Sequence, residues 1–479
     1  DYGVIITDLT PDIEGGDAWV DEDDLPAGSD ADKESTTANG SFTIIAPDGV
    51  GNVTINDVLV ISNGVMTGTS VTTPLGNTLE VTSFDPTTGG VTYAYTLEDA
   101  ETHPHADGEN SLFEDLTIVA SDTDGDTATA VLSIQIVDDV PSIDPNVEAE
   151  LSELAVDETN LALDSTADFS VLFDSTYGAD GAGSTVYTLG IGNGGVTGLV
   201  DTATEQEIIV KMNGSVVEGR TVTSGDLVFT ITIEEGNGTV TLDQLRAIMH
   251  PTSEPDEALT INDGAVTITA TITDKDGDTD SETLNIGKAF AFKDDGPEAS
   301  AKTGVTESVV LDETDGLDTV TISGTEIAAL FETPVYGEDG AGSVTYTLSA
   351  TDGAATGLWL TGQSGEASEI KLVKISDLQY EGWTGGNTSG TKAFTISIEG
   401  STGAVTVTQH ATLEHATDGT GTAHDDSLFL SGSAAISVVQ RVTDADGDYD
   451  EATSANALSI EFKDDGPEAS AKTGVTESV

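Results

Sequence analysis

A short acidic motif is written three times in this chain, and its surroundings recur with it. Asp122-Thr123-Asp124-Gly125-Asp126, Asp274-Lys275-Asp276-Gly277-Asp278 and Asp444-Ala445-Asp446-Gly447-Asp448 are each followed by an acid pair and a proline. The acid pairs, Asp138-Asp139 with Pro141, Asp294-Asp295 with Pro297 and Asp464-Asp465 with Pro467, begin 16, 20 and 20 residues after the motif starts. A unit repeated in this way cannot belong to one continuous core. It predicts modules in tandem, with boundaries at the acid–proline linkers. Residues 462–479 repeat 292–309 without a change, at a period of 170 residues.

Internal comparison separates two close relatives from a shorter cousin. Tyr177-Gly178-Ala179-Asp180-Gly181-Ala182-Gly183-Ser184 matches Tyr336-Gly337-Glu338-Asp339-Gly340-Ala341-Gly342-Ser343, and Val156-Asp157-Glu158-Thr159 matches Leu311-Asp312-Glu313-Thr314. The first module shares only Val20-Asp21-Glu22 at that place. The expected division is a shorter β-sandwich repeat over 1–140, full repeats over 141–296 and 297–466, and the start of another over 467–479. A repeat that breaks off there marks the chain, on this reading, as a segment of a longer repetitive protein.

The local pattern is that of strands. Stretches such as 127–136, 227–233, 265–272 and 393–398 are rich in β-branched residues alternating with polar ones. Clusters of Asn, Asp and Gly interrupt them. One short helical turn is expected over 242–248, where Leu242, Leu245 and Ile248 fall three apart. Many short strands without a long helix predict an all-β fold of tandem antiparallel β-sandwiches, Ig-like or cadherin-like, in an extended array.

Charge narrows the partners. Asp and Glu number 87 against 14 Lys and Arg, for a net charge of −73. Such a field repels nucleic acid and anionic membrane. There is no cysteine, so disulfides and thiolate metal sites are excluded. No apolar run approaches the ~18 residues of a membrane span, so no membrane insertion is expected.

The acids themselves point to a hard cation. Alternate carboxylates beside a glycine can wrap oxygens around Ca2+, which takes six to eight of them. The last strand of the second module, read as running unbroken over 280–292, would span ~43 Å at 3.3 Å per residue. The exit pair then lies at the far end of its module, and each acidic loop should face the exit pair of the module before it. One junction would combine Asp138 and Asp139 with Asp274, Asp276 and Asp278. The next would combine Asp294 and Asp295 with Asp444, Asp446 and Asp448. Asp122, Asp124 and Asp126 at one end, and Asp464 and Asp465 at the other, form half-sites. Asp180 and Asp339 are a weaker case, since glycine-rich turns explain them without a ligand although calcium could bind there, and Glu158 and Glu313 read equally as junction ligands or as surface acids.

Taken together, the Tyr-Gly-x-Asp-Gly-Ala-Gly-Ser runs, Leu413-Glu414-His415, Val442-Thr443 before the third acidic loop, and the Phe-Lys-Asp-Asp-Gly-Pro exits resemble the tandem repeat domains of giant type I-secreted RTX adhesins. Residues 141–465 carry the resemblance closely. The first module resembles a shorter repeat of the same proteins through Val20-Asp21-Glu22-Asp23-Asp24-Leu25-Pro26 and Ala120-Ser121 before its acidic loop. The resemblance implies a calcium-rigidified extender at a bacterial cell surface, projecting a distal ligand-binding region for biofilm formation or attachment. The partners it implies are calcium ions, neighbouring repeats of the same chain, and surface glycan or protein ligands bound through other domains. No Gly-Gly-x-Gly-x-Asp array is present.

Three other functions compete. No nucleophile elbow, P-loop or dinucleotide fingerprint is present, and His410 to His415 is one residue too long for a His-x-x-Glu-His zinc helix. The chain is therefore read as no enzyme, with His415 and its counterpart His250 as structural histidines. A glycan- or peptide-binding module would use aromatics, and Trp383 in Glu381-Gly382-Trp383 is the best candidate, with Arg220 in the same slot of the second module. Lateral assembly into a calcium-bridged matrix filament is the third.

Overall fold

The computed structural model describes residues 3–31, 35–104, 108–254, 256–416 and 426–465. The expected start of a further repeat at 467–479 lies outside them. The fold is all-β, with sheets packed face to face around three separate cores in tandem. The first is built on Phe42, Tyr93, Tyr95, Leu116 and Ile134. The second gathers around Phe229, Ile268 and Phe292, and the third around Phe394, Val438 and Phe462. The last two cores share a ring pair: Phe229 and Phe292 lie 5.0 Å apart, Phe394 and Phe462 5.4 Å.

Strand Val266–Asp274 shows why these sequences make sheets. Its residues alternate between buried and half-buried along its whole length. Ile268, Ala270 and Ile272 enter the core while the intervening threonines face outward, which suits both β-branched stiffness and the two-residue period. It pairs antiparallel with Ala182–Ile191 and Thr279–Asn285. The third module repeats the arrangement with Ser437–Asp444 between Ala341–Ser349 and Tyr449–Thr453.

Among the described residues each module also contains one parallel pair. Ala18–Asp21 runs parallel to Thr127–Val137, Leu154–Asp157 to Phe290–Lys293, and Ser308–Asp312 to Ser459–Lys463. The register sets Asp21 opposite Val137, Asp157 opposite Lys293 and Asp312 opposite Lys463. The turn after each upstream strand therefore sits beside the module's exit acids.

Two expectations fail. Residues 242–248 hold no helical turn: strand Thr239–Gln244 occupies the first part, paired with Leu227–Ile233 and Ser165–Asp168. Leu245 is exposed while Leu242 and Ile248 are buried. Cross-strand pairing on both sides outweighs a three-residue spacing too short to nucleate a helix. Nor is 280–292 one strand. Thr279–Asn285 ends, a 3-10 turn follows at Gly287–Ala289, and Phe290–Lys293 joins a different sheet. Gly287 permits the crossing, because a Cβ there would lie 2.5 Å from the carbonyl oxygen of Asn262.

Candidate metal centres at the module junctions

Each acidic motif closes a hairpin and folds around its own first aspartate. Asp122 Oδ1 accepts from the N–H groups of Asp124, Gly125 and Asp126 at 3.2, 2.8 and 2.9 Å. Asp274 Oδ1 accepts from Gly277 and Asp278 at 2.9 and 2.8 Å, and Asp444 Oδ1 from Gly447 at 3.0 Å. The glycine is required, since Gly125, Gly277 and Gly447 have φ of 109°, 110° and 120°. One oxygen of the first aspartate is thus consumed in shaping the loop. The other, Oδ2 of Asp122, Asp274 and Asp444, is buried without a hydrogen-bond partner among the described residues.

The second acid of each exit pair seats the following module. Asp139 accepts from the Ser29 N–H and hydroxyl at 2.9 and 2.7 Å within its own module, and from the Ala179 N–H of the next at 2.8 Å. Asp295 accepts from the Glu338 N–H at 3.2 and 3.3 Å. Gly178 and Gly337 make room: a Cβ would meet Asp139 Oδ2 at 2.6 Å and Asp295 Oδ2 at 2.4 Å.

The first acid faces the acidic loop. Asp138 looks across the first junction onto Asp276, Asp180 and Asp278, and Asp294 onto Asp448 across the second. Asp446 Oδ2 accepts from the His250 N–H at 3.2 Å. Behind each first acid stands a glutamate from the turn beside the parallel pair, with a histidine. Glu22, His103 and Asp138 form one group, and Glu158, His250 and Asp294 another, with candidate ligand atoms within 4.8 Å of one another. Glu158, Asp294, Asp295 and Asp339 form an overlapping group.

Burial makes these groups costly to ionise. It pushes the carboxyls of Asp138 and Glu158 up to about 8, and those of Asp180, Asp339 and Asp448 up to about 7. Asp274 rises to about 6 and Asp444 to about 8 from burial, reinforced by their neighbours Asp276 and Asp446. Burial alone would push His103 and His250 down, but contacts with Glu22 and Asp294 outweigh it and raise both to about 9. Oxygens of Asp138, Asp276, Asp278, Asp294, Asp339, Asp446 and Asp448 are buried without a hydrogen-bond partner among the described residues.

The outer half-sites differ. Asp124 is exposed and Asp126 half-buried, and Asp122 is held below the ordinary range because its loop hydrogen bonds outweigh burial. Asp48 joins Asp122 and Asp124 as a possible group. At the far end Asp464 is half-buried and Asp465 exposed, with Glu313 and His415 beside Asp464.

Reading residues by type alone left Glu22 and the histidines out of the site, left Glu158 open between junction ligand and surface acid, and treated Asp180 and Asp339 as turn residues. The available signal was register: each glutamate follows an aspartate after a short apolar run, at the same place in every module. Trp383 lies half-buried in strand Gln379–Thr384. Its Nε1–H donates to Glu381 at 2.7 Å and Lys392 lies 5.6 Å over its ring. Arg220 likewise donates to Glu218 at 2.7 Å. His410 sits outside the junction and contacts the Thr395 hydroxyl at 2.9 Å.

No curated protein sequence matches the chain. Among solved structures, the mouse cadherin-23 EC22-24 crystal structure aligns over 97% of this chain and 99% of its own at 14% identity and a TM-score of 0.23. Drosophila N-cadherin EC1-4 aligns over 97% and 76% at 12% and 0.21, and mouse protocadherin-24 EC1-3 over 93% and 96% at 15% and 0.23. Likenesses of this size carry no argument here, and the fold rests on the sheets described above. The family described as "Domain of unknown function (DUF5801)" matches residues 153–287 and 308–456, over half of the sequence, and the chain belongs to that family.

Proposed function

We propose that the chain is a structural extender segment of a large bacterial cell-surface adhesin of the RTX type, stiffened by calcium at its module junctions. It would project a distal ligand-binding region for attachment or biofilm formation. One observation carries this reading: at each junction, acids from two modules converge with buried oxygens that no described residue satisfies. Ionised carboxylates buried in this way cost several kcal/mol each unless a cation compensates them. The donor set is almost all oxygen, which fits Ca2+.

On this reading Asp138, Asp139, Asp180, Asp274, Asp276 and Asp278 hold calcium at the first junction. Asp294, Asp295, Asp339, Asp444, Asp446 and Asp448 do so at the second. Bound calcium supplies positive charge that lets all of these acids ionise together. Asp139 and Asp295 also orient the next module through the Ala179 and Glu338 N–H groups. Asp122, Asp124, Asp126, Asp464 and Asp465 would complete such sites with further modules. Division at 1–140, 141–296 and 297–466 is proposed with it, supported by the three separate cores.

The reading is tested by calorimetry and small-angle scattering with and without calcium. At ~10 mM calcium, a site with a dissociation constant of about 10⁻⁴–10⁻³ M stabilises by roughly 1.4–2.7 kcal/mol. Calcium should raise the melting temperature and narrow the distribution of maximum dimensions. If EDTA changes neither, the reading is wrong.

A further inference from the structure

Calcium does not account for the histidines. A hard cation that favours oxygen has little use for an imidazole, yet a buried His recurs beside a Glu and an exit Asp in all three modules: Glu22–His103–Asp138, Glu158–His250–Asp294 and Glu313–His415–Asp464. The second group is the most fully enclosed, with Glu158, His250 and Asp294 at 0%, 1% and 2% exposure. Each keeps a buried atom without a hydrogen-bond partner among the described residues: Glu158 Oε2, His250 Nδ1, and both oxygens of Asp294.

The surroundings orient these atoms as ligands are oriented. His250 Nε2 lies 3.2 Å from the carbonyl oxygen of Phe292. A carbonyl only accepts, so Nε2 carries the proton and Nδ1 is left with its lone pair in the neutral ring. Nδ1 points at Asp294 Oδ1, 3.3 Å away but outside hydrogen-bond geometry. That separation suits two ligands sharing a metal at ~2.0 Å from each. Glu158 Oε1 is fixed by the Ile248 N–H and the Gln244 amide at 2.8 Å each, which leaves Oε2 for the site. The third module repeats this, with Glu313 Oε1 held by the Leu413 N–H at 2.9 Å and by Gln409. The first group differs: Glu22 Oε1 accepts from the Glu101 N–H at 2.7 Å and lies 3.1 Å from His103 Nε2, and His103 Nδ1 lies 3.2 Å from Asn110 Oδ1, so both ring nitrogens of His103 already have partners. Partners that fix a histidine's tautomer and a carboxylate's free oxygen are the outer shell of a metal site.

We propose that the Glu158–His250–Asp294 and Glu313–His415–Asp464 groups, whose histidines keep a buried nitrogen without a partner among the described residues, each bind a divalent cation of the zinc class, distinct from calcium and sharing Asp294 or Asp464 with the calcium acids. One nitrogen and two carboxylates, with water to complete the shell, suit zinc or cobalt. The alternative is an imidazolium clamped between two carboxylates with no metal.

The test titrates Co2+ into the full chain and reads its visible absorption, with calcium absent and with calcium in excess. Up to two equivalents are expected in both conditions, with one equivalent lost in His250→Gln. Diffraction from the unaltered chain grown with Zn2+, collected at the zinc edge, should place an ion against His250 Nδ1, and this does not depend on a variant folding. Absence of cobalt bands, bands unchanged in His250→Gln, or no zinc-edge peak there overturns the proposal. The calcium reading fails separately: a chain that binds cobalt but melts at one temperature with and without calcium removes that reading and leaves this one.

Discussion

The Asp122 loop and the Asp274 loop are built from the same five-residue pattern and folded the same way. In each, the first aspartate accepts from N–H groups of its own turn, and a glycine takes a φ near 110°. Their electrostatics are opposite. Asp122 is held below the ordinary carboxylate range by those hydrogen bonds, whereas burial, with Asp276 beside it, raises Asp274 to about 6. Asp276 and Asp278 are buried, while Asp124 is exposed and Asp126 only partly covered. The difference is the neighbour: Asp138 of the preceding module faces the Asp274 loop. A motif of this kind is a half-built site, and the abutting module changes its chemistry without changing its sequence or its backbone.

The comparison breaks most directly if the junction is forced open. Gly178→Ala places a Cβ 2.6 Å from Asp139 Oδ2 at a φ of 67°. Gly214→Ala imposes a similar φ, 64°, with open space around the added carbon. The left-handed strain of about 1–2 kcal/mol is common to both, and the clash adds about 1–3 kcal/mol only at Gly178. Gly178→Ala should therefore lower the melting temperature of the affected module more and weaken its calcium response. Equal losses in calorimetry would show that Asp139 does not seat the second module.

Next in size is removal of one buried junction acid. Asp278→Asn and Asp448→Asn should each remove about 1.4–2.7 kcal/mol of calcium-dependent stability at their own junction. Without calcium the same changes should be neutral or stabilising, because each removes a buried charge. A calcium titration followed by calorimetry reads both arms. A variant that responds to calcium as the unaltered chain does would take its acid out of the site.

Legibility in the sequence divided along the same line. The strands were readable, because Val266–Asp274 alternates Val, Ile and Ala with threonine at the sheet's own period. The hairpin position of the acidic loops followed from their glycines. The sequence left Glu158 open between a junction ligand and a surface acid. Its burial depends on the parallel pairing of Leu154–Asp157 with Phe290–Lys293, between residues over 130 positions apart. The surroundings of His250 were hidden for the same reason, since Glu158, Phe292 and Asp294 come from distant parts of the chain. The sheet switch at Gly287 was hidden because residues on both sides of it favour strand. Local pattern determined the elements, and non-local register determined which polar groups were driven together.

A smaller effect distinguishes the loops through pH. In the chelated chain Asp138, Glu158 and Asp444 are raised to about 8, and Asp180, Asp339 and Asp448 to about 7. Unfolded Asp and Glu titrate near ~4. A folded pKa above the unfolded one means that the native state binds more protons in between, so stability falls as pH rises from about 4 to about 8. His103 and His250, raised to about 9, act in the same direction above about 6.5. The EDTA-treated chain should thus melt lower at pH 8 than at pH 5, and calcium should shrink or reverse the difference. A chelated chain that gains stability over this window would contradict the burial of these acids.

The smallest effects belong to the outer loop. Asp124→Asn and Asp126→Asn remove charges that lie exposed or half-buried and that no acid of another module faces among the described residues. Each should change stability by no more than about 0.5 kcal/mol, and by the same amount with and without calcium. Asp48 supplies the sharpest control, because it is grouped with Asp122 and Asp124. If Asp48→Asn or Asp124→Asn removed as much calcium-dependent stability as Asp278→Asn, the outer loop would bind calcium with its own module alone. Burial by a neighbour would then no longer explain why two copies of one motif behave differently.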